Sequence, residues 1–324
     1  MINRKIPVIA VAGPTASGKS SLALRLCKDY NGELISCDSM QIYKGMDIGT
    51  AKPSLIERSE IPHHLIDICA PNVDFSAAAF TELASAAIAD IHARGKMPVL
   101  CGGTGLYLDS LLKGVNFGEM DSDPDYRAEL FAFAEKEGAE ALHRRLQAVD
   151  PEAAAAIHPN NIKRVVRALE ICKLSGVTKT AWDKNAVKND SPYAPCILAL
   201  DYKNRENLYA RIHMRVDEMF DMGLEEEVRS LLNAGYLSPD TTASGAIGYK
   251  ELLGYLRGEM TKDEAANAIK TATRHYAKRQ LTWFRRNPDI HWLYPDDDRY
   301  EDYEQLVCAA HAIIDIHAVH SWNT

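Results

Sequence analysis

The sequence predicts an α/β protein, a parallel sheet flanked by helices that carries an all-helical insertion. Three observations predict it. In the first third of the chain, short apolar runs alternate with helical patterns, as parallel sheets require. A glycine-rich stretch lies between the first apolar run and the first helical one. From residue 124 to about 175 every apolar pattern has helical spacing, and the next strand-like run comes only at 196–200.

In chain order, residues 6–12 read as a buried strand and 18–29 as a helix. A second strand is expected at 33–37, ending on Asp38-Ser39, and a short one at 64–68. Residues 76–93 form a long Ala-rich amphipathic helix, 97–101 a strand, and Gly102-Gly103 opens a helix running to Leu112. Gly, Asp and Pro crowd 115–125, which marks a boundary. Helices follow at 127–137, 140–149, 152–157 and 161–174; then a polar stretch, 178–195, leads to the strand at 196–200. Residues 204–286 are helical apart from a loop at 237–248, a last strand is expected at 290–294, and 303–317 reads as a surface helix. The expected division is a core of residues 1–118 and 195–324 with a helical insertion at 119–194.

Composition narrows the function. The 324 residues are 46% apolar and 25% charged, ordinary for a chain that buries a sizeable core. No run of about 18 apolar residues exists, so no membrane-spanning helix is expected. Seven scattered cysteines without a CxxC pair argue against a disulfide framework or a structural zinc site and for a reducing cytoplasm. A net charge of −8 argues against a nonspecific polyanion binder, but where the cations sit matters more.

Gly13-Pro14-Thr15-Ala16-Ser17-Gly18-Lys19-Ser20 matches the phosphate-loop pattern G-x-x-x-x-G-K-[ST], between a strand and a helix as its mechanism demands. Backbone N–H groups and the helix N-terminus cradle phosphate oxygens, Lys19 adds a point charge, and the Ser20 hydroxyl can face Mg²⁺. The fold class is therefore P-loop NTPase-like. By itself the loop suits a kinase or nucleotide hydrolase, for which Asp201, at the end of the strand 196–200, would be a late metal-binding carboxylate. Asp38, ending the second strand, should share the crevice at the C-terminal strand ends, either as a metal ligand or proton acceptor or as a cap of the next turn.

From Asp38-Ser39-Met40-Gln41-Ile42-Tyr43 through Lys44-Gly45-Met46-Asp47-Ile48-Gly49-Thr50-Ala51-Lys52-Pro53 the chain resembles the tRNA dimethylallyltransferases (isopentenyl-tRNA transferases). The resemblance continues in order through Pro62-His63-His64-Leu65, Gly102-Gly103-Thr104-Gly105-Leu106-Tyr107, Arg164-Val165-Val166-Arg167-Ala168-Leu169-Glu170, Ile247-Gly248-Tyr249-Lys250-Glu251 and Lys278-Arg279-Gln280-Leu281-Thr282-Trp283-Phe284-Arg285. It implies transfer of a dimethylallyl group from its diphosphate to N6 of adenine 37, just 3′ of the anticodon. The phosphate loop would then hold a leaving group, with Mg²⁺ as cofactor. The resemblance also implies Asp38 as general base, roles for Thr15 and Thr104 in positioning the reacting groups, and Arg215 on the diphosphate. Ser20 replaces the Thr of many members and keeps the hydroxyl. The zinc finger of eukaryotic members is absent.

Residues 265–286 contain no Asp or Glu but carry Lys270, Arg274, Lys278, Arg279, Arg285 and Arg286, with Tyr276, Trp283 and Phe284 interleaved. Cations for phosphates and aromatics for unstacked bases suit single-stranded RNA, although Trp283 and Phe284 serve equally well as core. A second basic cluster is Lys163, Arg164 and Arg167. The resemblance assigns tRNA contacts to Asp38, Ser39, Met40, Gln41, Thr104, Arg127, Lys163, Arg164, Val165, Val166, Arg167, Gly248, Tyr249, Lys250, Lys278, Arg279, Gln280, Trp283 and Arg285. The expected partners are a tRNA anticodon stem-loop and dimethylallyl diphosphate, with no membrane and a monomeric, cytoplasmic enzyme. The rival readings are a transferase acting on free adenine nucleotides, a P-loop kinase, and a non-catalytic RNA-binding module.

Overall fold

The computed structural model describes residues 5–114, 123–185, 191–238 and 241–322. Six parallel strands form one sheet: β1 (Ile6–Ala12), β2 (Gly32–Ser36), β3 (His63–His64), β4 (Met97–Gly102), β5 (Tyr193–Leu200) and β6 (Ile290–Leu293), in the order β3-β2-β4-β1-β5-β6. Central β1 pairs with β4 (Ile9 opposite Val99) and with β5 (Ile9 opposite Cys196). It reads as one continuous apolar run because helices cover both faces. Val8, Ala10 and Ala12 pack with Phe80, Ile88 and Ile91 of helix Ala77–Ala93. Ile9 and Val11 pack on the other face with Leu22 and Leu26 of helix Lys19–Asp29.

Three expectations change. The strand expected at 64–68 shrinks to two residues, because Leu65 (φ 61°) and Asp67 (φ 58°) take left-handed backbone that no strand accommodates. The polar stretch 178–195 contains helix Lys179–Asn185, tied down by the Thr180 N–H and hydroxyl, each donating to Asp150 at 2.8 Å. Helix Tyr303–His317 is no surface appendage: Leu306, Val307, Ala310 and Ile314 are buried in the core cluster under β1. Burial of each large side chain of that kind contributes about 1.5–3 kcal/mol.

The chain divides into two compact units, residues 1–112 with 191–324, and residues 113–190. The expected limit at 194/195 would cut β5, since Tyr193 already pairs with Ile6. The limit expected at 118/119 lies outside the described residues. The smaller unit is helical, with Leu130, Leu142, Leu146, Val165, Val166 and Leu169 in its core. Two of its helices begin with an Asp cap and a Pro. Asp123 accepts from Tyr126 N and Asp150 from Ala153 N, both at 2.9 Å.

Candidate active site

β1 delivers the chain into the phosphate loop. Gly13 (φ 143°) sits so close to β5 that a Cβ would meet the Leu200 carbonyl at 2.8 Å. Ala16 takes a left-handed turn (φ 62°), Arg211 Nε donates to its carbonyl at 2.9 Å, and Gly18 (φ 90°) precedes helix Lys19–Asp29. Lys19 Nζ donates to the Pro14 carbonyl at 3.2 Å, folding the side chain back over the loop. The Ser17 hydroxyl is buried and has no hydrogen-bond partner among the described residues. Burial holds both Lys19 and Arg215 below their ordinary values, against the opposing pull of Asp38 on each. Among the described residues neither cation has an ion pair, and Arg215 Nε is a buried donor without a partner. Two half-buried cations beside a helix N-terminus have the chemistry that suits an anion.

The carboxylate turn lies beside it. Asp38 Oδ1 accepts from Met40 N at 2.9 Å, so the side chain does cap its own turn, and it also faces the cavity. Thr104 holds the same turn: its Oγ1 accepts from Ser39 N at 3.1 Å and its N–H donates to the Cys37 carbonyl at 3.2 Å. Gln280, only 5% exposed, clamps the loops together. Its Oε1 accepts from Thr15 N at 3.0 Å and its Nε2 donates to the Gly103 carbonyl at 2.9 Å. A Cβ on Gly103 would collide with that amide.

The segment from Asp38 to Pro53 is fixed by two charged residues, Glu227 and Lys52, of which the motif reading missed the first. Glu227 accepts from three successive amides, Asp47 (2.9 Å), Ile48 (2.7 Å) and Gly49 (3.1 Å), and from the Tyr249 hydroxyl (2.6 Å). Lys52 Nζ, buried, donates to the Tyr43 carbonyl (2.6 Å), Asp47 (2.7 Å) and Asp67 (2.5 Å). Glu227 has no signal in the sequence, whereas Lys52 stands inside a quoted motif.

Thr15, Lys19, Ser20, Asp38, Met40, Arg215 and Gly248 line one cavity of about 380 Å³, in the size range of small-molecule sites (roughly 300–1,000 Å³). Its apolar wall includes Val216, Met219, Ile247 and Ile269. Tyr276 and Arg279 line it as well, with the Arg279 guanidinium 5.6 Å from the Tyr276 ring centre. Cys101, also lining it, is a buried thiol pushed up to about 11 by burial, against the opposing charge of Lys19.

Several expected tRNA contacts lie elsewhere. Val165 and Val166 are core residues of the helical unit and Tyr249 is fully buried, so these three side chains serve packing in this structure. Gln41 is spent on its loop, accepting from Ser36 Oγ at 2.8 Å and donating to the Thr50 and Ala51 carbonyls at 3.2 Å. Gln280 is the clamp just described. Trp283 Nε1 donates to Asp109 at 2.7 Å, Phe284 is core, and Arg285 pairs with Asp201 at 2.9 Å. In the helical unit, Arg127 and Arg167 both grip the buried Glu170, at 2.8 and 2.5 Å. Lys163, Arg164, Lys250, Lys278 and Arg279 are exposed. Asp201 is held by Tyr202 N–H (2.8 Å), Arg205 (3.0 Å) and Arg285, which leaves it no metal-binding part.

The model of the family described as IPP transferase matches residues 41–287. The chain is 46% identical over 302 residues to the tRNA dimethylallyltransferase of Caldanaerobacter subterraneus subsp. tengcongensis, covering 93% of this chain and 95% of that protein. It is 52% identical over 293 residues to that of Geobacter metallireducens, covering 90% and 94%. Among solved structures, the full-length tRNA isopentenylpyrophosphate transferase of Bacillus halodurans matches with a TM-score of 0.73 at 44% identity, over 98% of this chain and 99% of that one. A eukaryotic dimethylallyltransferase captured acting on tRNA matches with a TM-score of 0.79 at 30% identity, over 96% and 80%. A phosphate loop, a carboxylate turn and relatives alike over nearly the whole chain agree: this protein belongs to the IPP transferase family, that of the tRNA dimethylallyltransferases.

Proposed function

We propose that this enzyme transfers the dimethylallyl group of dimethylallyl diphosphate to N6 of adenine 37 in tRNA and releases diphosphate. The observation that carries this reading is the meeting of Lys19 and Arg215, half-buried and without an ion pair among the described residues, with the Asp38 carboxylate on the wall of one cavity. The allylic C–O bond breaks as the adenine N6–C bond forms. Charge developing on the leaving diphosphate meets Lys19, Arg215 and the loop amides, and Asp38 takes the proton that N6 gives up. The apolar wall of Val216, Met219, Ile247 and Ile269 suits the five-carbon group.

Mg²⁺ fits the donor set, since the Ser20 hydroxyl and the Asp38 carboxylate are hard oxygen donors on one cavity and the ion favours a few such ligands beside substrate phosphates. Held by Ser20 and the diphosphate, it would supply positive charge to the leaving group. The exposed Lys163, Arg164, Lys250, Lys278 and Arg279 are the side chains assigned to tRNA phosphates, and the anticodon loop offers a base that can be extruded at low cost. The seven free cysteines suit a reducing cytoplasm, and no helix among the described residues is long and apolar enough to cross a membrane.

Incubation with dimethylallyl diphosphate and an RNA anticodon stem-loop, read by mass spectrometry, tests the reading. Modified adenine and pyrophosphate are expected one-for-one, free adenosine monophosphate should stay unreacted, and added ATP should yield no ADP. Stoichiometric ADP would identify a kinase, and efficient alkylation of the free nucleotide a nucleotide transferase.

A further inference from the structure

Resting on that reaction, we infer that Glu227 is a positioning residue that sets how long an allylic group the cavity admits. Part of the cavity wall is nearly bare backbone: Gly49, Ala51, Gly245, Ala246 and Gly248 carry at most a methyl group. The shape of such a wall is decided by where its backbone is held, since no long side chain can close a gap in it. Glu227, half-buried on helix Leu224–Asn233, holds two strips of it at once. Its Oε2 accepts from Asp47 N at 2.9 Å and Ile48 N at 2.7 Å, and its Oε1 from Gly49 N at 3.1 Å and the Tyr249 hydroxyl at 2.6 Å. One strip is therefore fixed where it enters the wall at Gly49, and the other just after Gly248.

The two strips also touch. A Cβ on Gly49 would meet the Tyr249 ring at 2.5 Å, so the ring lies directly against that backbone. Tyr249 shares an apolar cluster with Met46, Val216 and Ile269, and Met219 and Ile247 pack against the same cluster. Val216, Met219, Ile247 and Ile269 are the surface assigned to the five-carbon group. Carboxylate, phenol ring and apolar wall thus form one packed unit. Gln41 donates to the Thr50 and Ala51 carbonyls at 3.2 Å, which ties the same strip to the turn that carries Asp38. Neither Glu227 nor Tyr249 lines the cavity, so both act through the wall and not by touching substrate. A carboxylate that accepts four hydrogen bonds has its acceptor sites committed, and bonds to a charged acceptor are the stronger kind. A longer allylic chain must push this wall back and break them.

The test compares single-turnover transfer from dimethylallyl diphosphate and from geranyl diphosphate, its ten-carbon homologue, to an RNA anticodon stem-loop. Wild type, Glu227→Gln and Tyr249→Phe are measured, with thermal melting and calorimetric affinity for inorganic pyrophosphate alongside. Wild type should prefer the five-carbon donor. Glu227→Gln keeps the size of the side chain but puts an NH2 group where an oxygen accepted, so at least one backbone amide loses its partner. Its preference for five carbons over ten should fall about tenfold, with pyrophosphate affinity unchanged. Tyr249→Phe keeps the ring against Gly49 and removes one hydrogen bond, so its preference should fall by less, about two- to fivefold. A role in stability alone would lower the melting temperature and slow both donors equally. An unchanged preference in Glu227→Gln, or in Tyr249→Phe should the first variant fail to fold, would overturn the inference, as would a wild type that takes both donors alike. A wild type inert with both donors would sink the transferase reading itself, which keeps the two failures apart.

Discussion

Two sets of cations in this protein look alike in sequence and differ in structure. Lys19 and Arg215 are half-buried on the cavity wall and, among the described residues, have no carboxylate partner. Arg127 and Arg167, in the helical unit, converge on Glu170, which is fully buried and also accepts from Asp123 N at 2.9 Å. A desolvated cation without a counter-charge is costly, and a phosphate relieves the cost. A cation already holding a buried carboxylate is a staple, and diverting it to RNA would strand that carboxylate. The partner, and not the count of basic residues, separates ligand site from scaffold.

The largest effect expected on the ligand side comes from Asp38→Asn. Asparagine can still accept from Met40 N, so the turn survives while the base is lost. Single-turnover rate should fall about 10²–10⁴-fold with stem-loop affinity unchanged. Near wild-type chemistry would reduce Asp38 to a cap. Lys19→Ala follows: removing one preorganised charge from a developing anion costs on the order of 10²–10³ in rate. Because Lys19 also donates to the Pro14 carbonyl, pyrophosphate affinity should fall too, and calorimetry showing no loss would contradict the anion site.

On the scaffold side the expected effect is on stability. Burial alone would lift the Glu170 carboxyl, but hydrogen bonds from Arg127, Asp123 N–H and Arg167 outweigh it and hold Glu170 below its ordinary value of 4.5. A depressed folded value stabilises the protein above the unfolded pKa, and that contribution disappears as pH falls through the lower folded value. Arg127→Ala should therefore cost about 1–2 kcal/mol at neutral pH, less than a fully buried pair because Arg127 is 38% exposed. It should also move acid unfolding, followed by circular dichroism, to higher pH. An acid profile identical to wild type would show that Glu170 does not depend on this pair.

How much of this could be read in the sequence follows the same division. The sheet and phosphate loop were legible because their signals are local: a continuous apolar run for a doubly covered strand, and glycines where the backbone turns back on β5. The turn at Asp38 was legible because a parallel sheet gathers its strand ends on one side. The clamp role of Gln280 was not, since its partners Thr15 and Gly103 are 265 and 177 residues away. Glu227 stayed hidden because a carboxylate collecting three amides needs no pattern of its own. That the side chains of Val165 and Val166 face the core of the helical unit was not legible either, because a motif marks a segment, not the face of the helix that turns outward.

The smallest effect, and the finest test of the comparison, lies within helix Lys262–Phe284 and the residue that caps it. Lys278 is exposed and has no ion pair among the described residues. Arg285 is 57% exposed, but its guanidinium holds Asp201, which is 1% exposed and also binds Arg205. Composition puts both in one basic segment, whereas structure makes Lys278 available to a phosphate and Arg285 a staple at the end of β5. If Lys278 neutralises one tRNA phosphate, Lys278→Ala should flatten the slope of log affinity against log salt by roughly one unit, without changing pyrophosphate affinity. Arg285→Ala should leave that slope intact and lower the melting temperature, since Asp201 then depends on Arg205 and the Tyr202 amide alone. Filter binding of an anticodon stem-loop at several salt concentrations reads both slopes. A flattened slope for Arg285→Ala would mean that the arginine leaves Asp201 for RNA, and pairing in the free protein would no longer predict which cations the RNA uses.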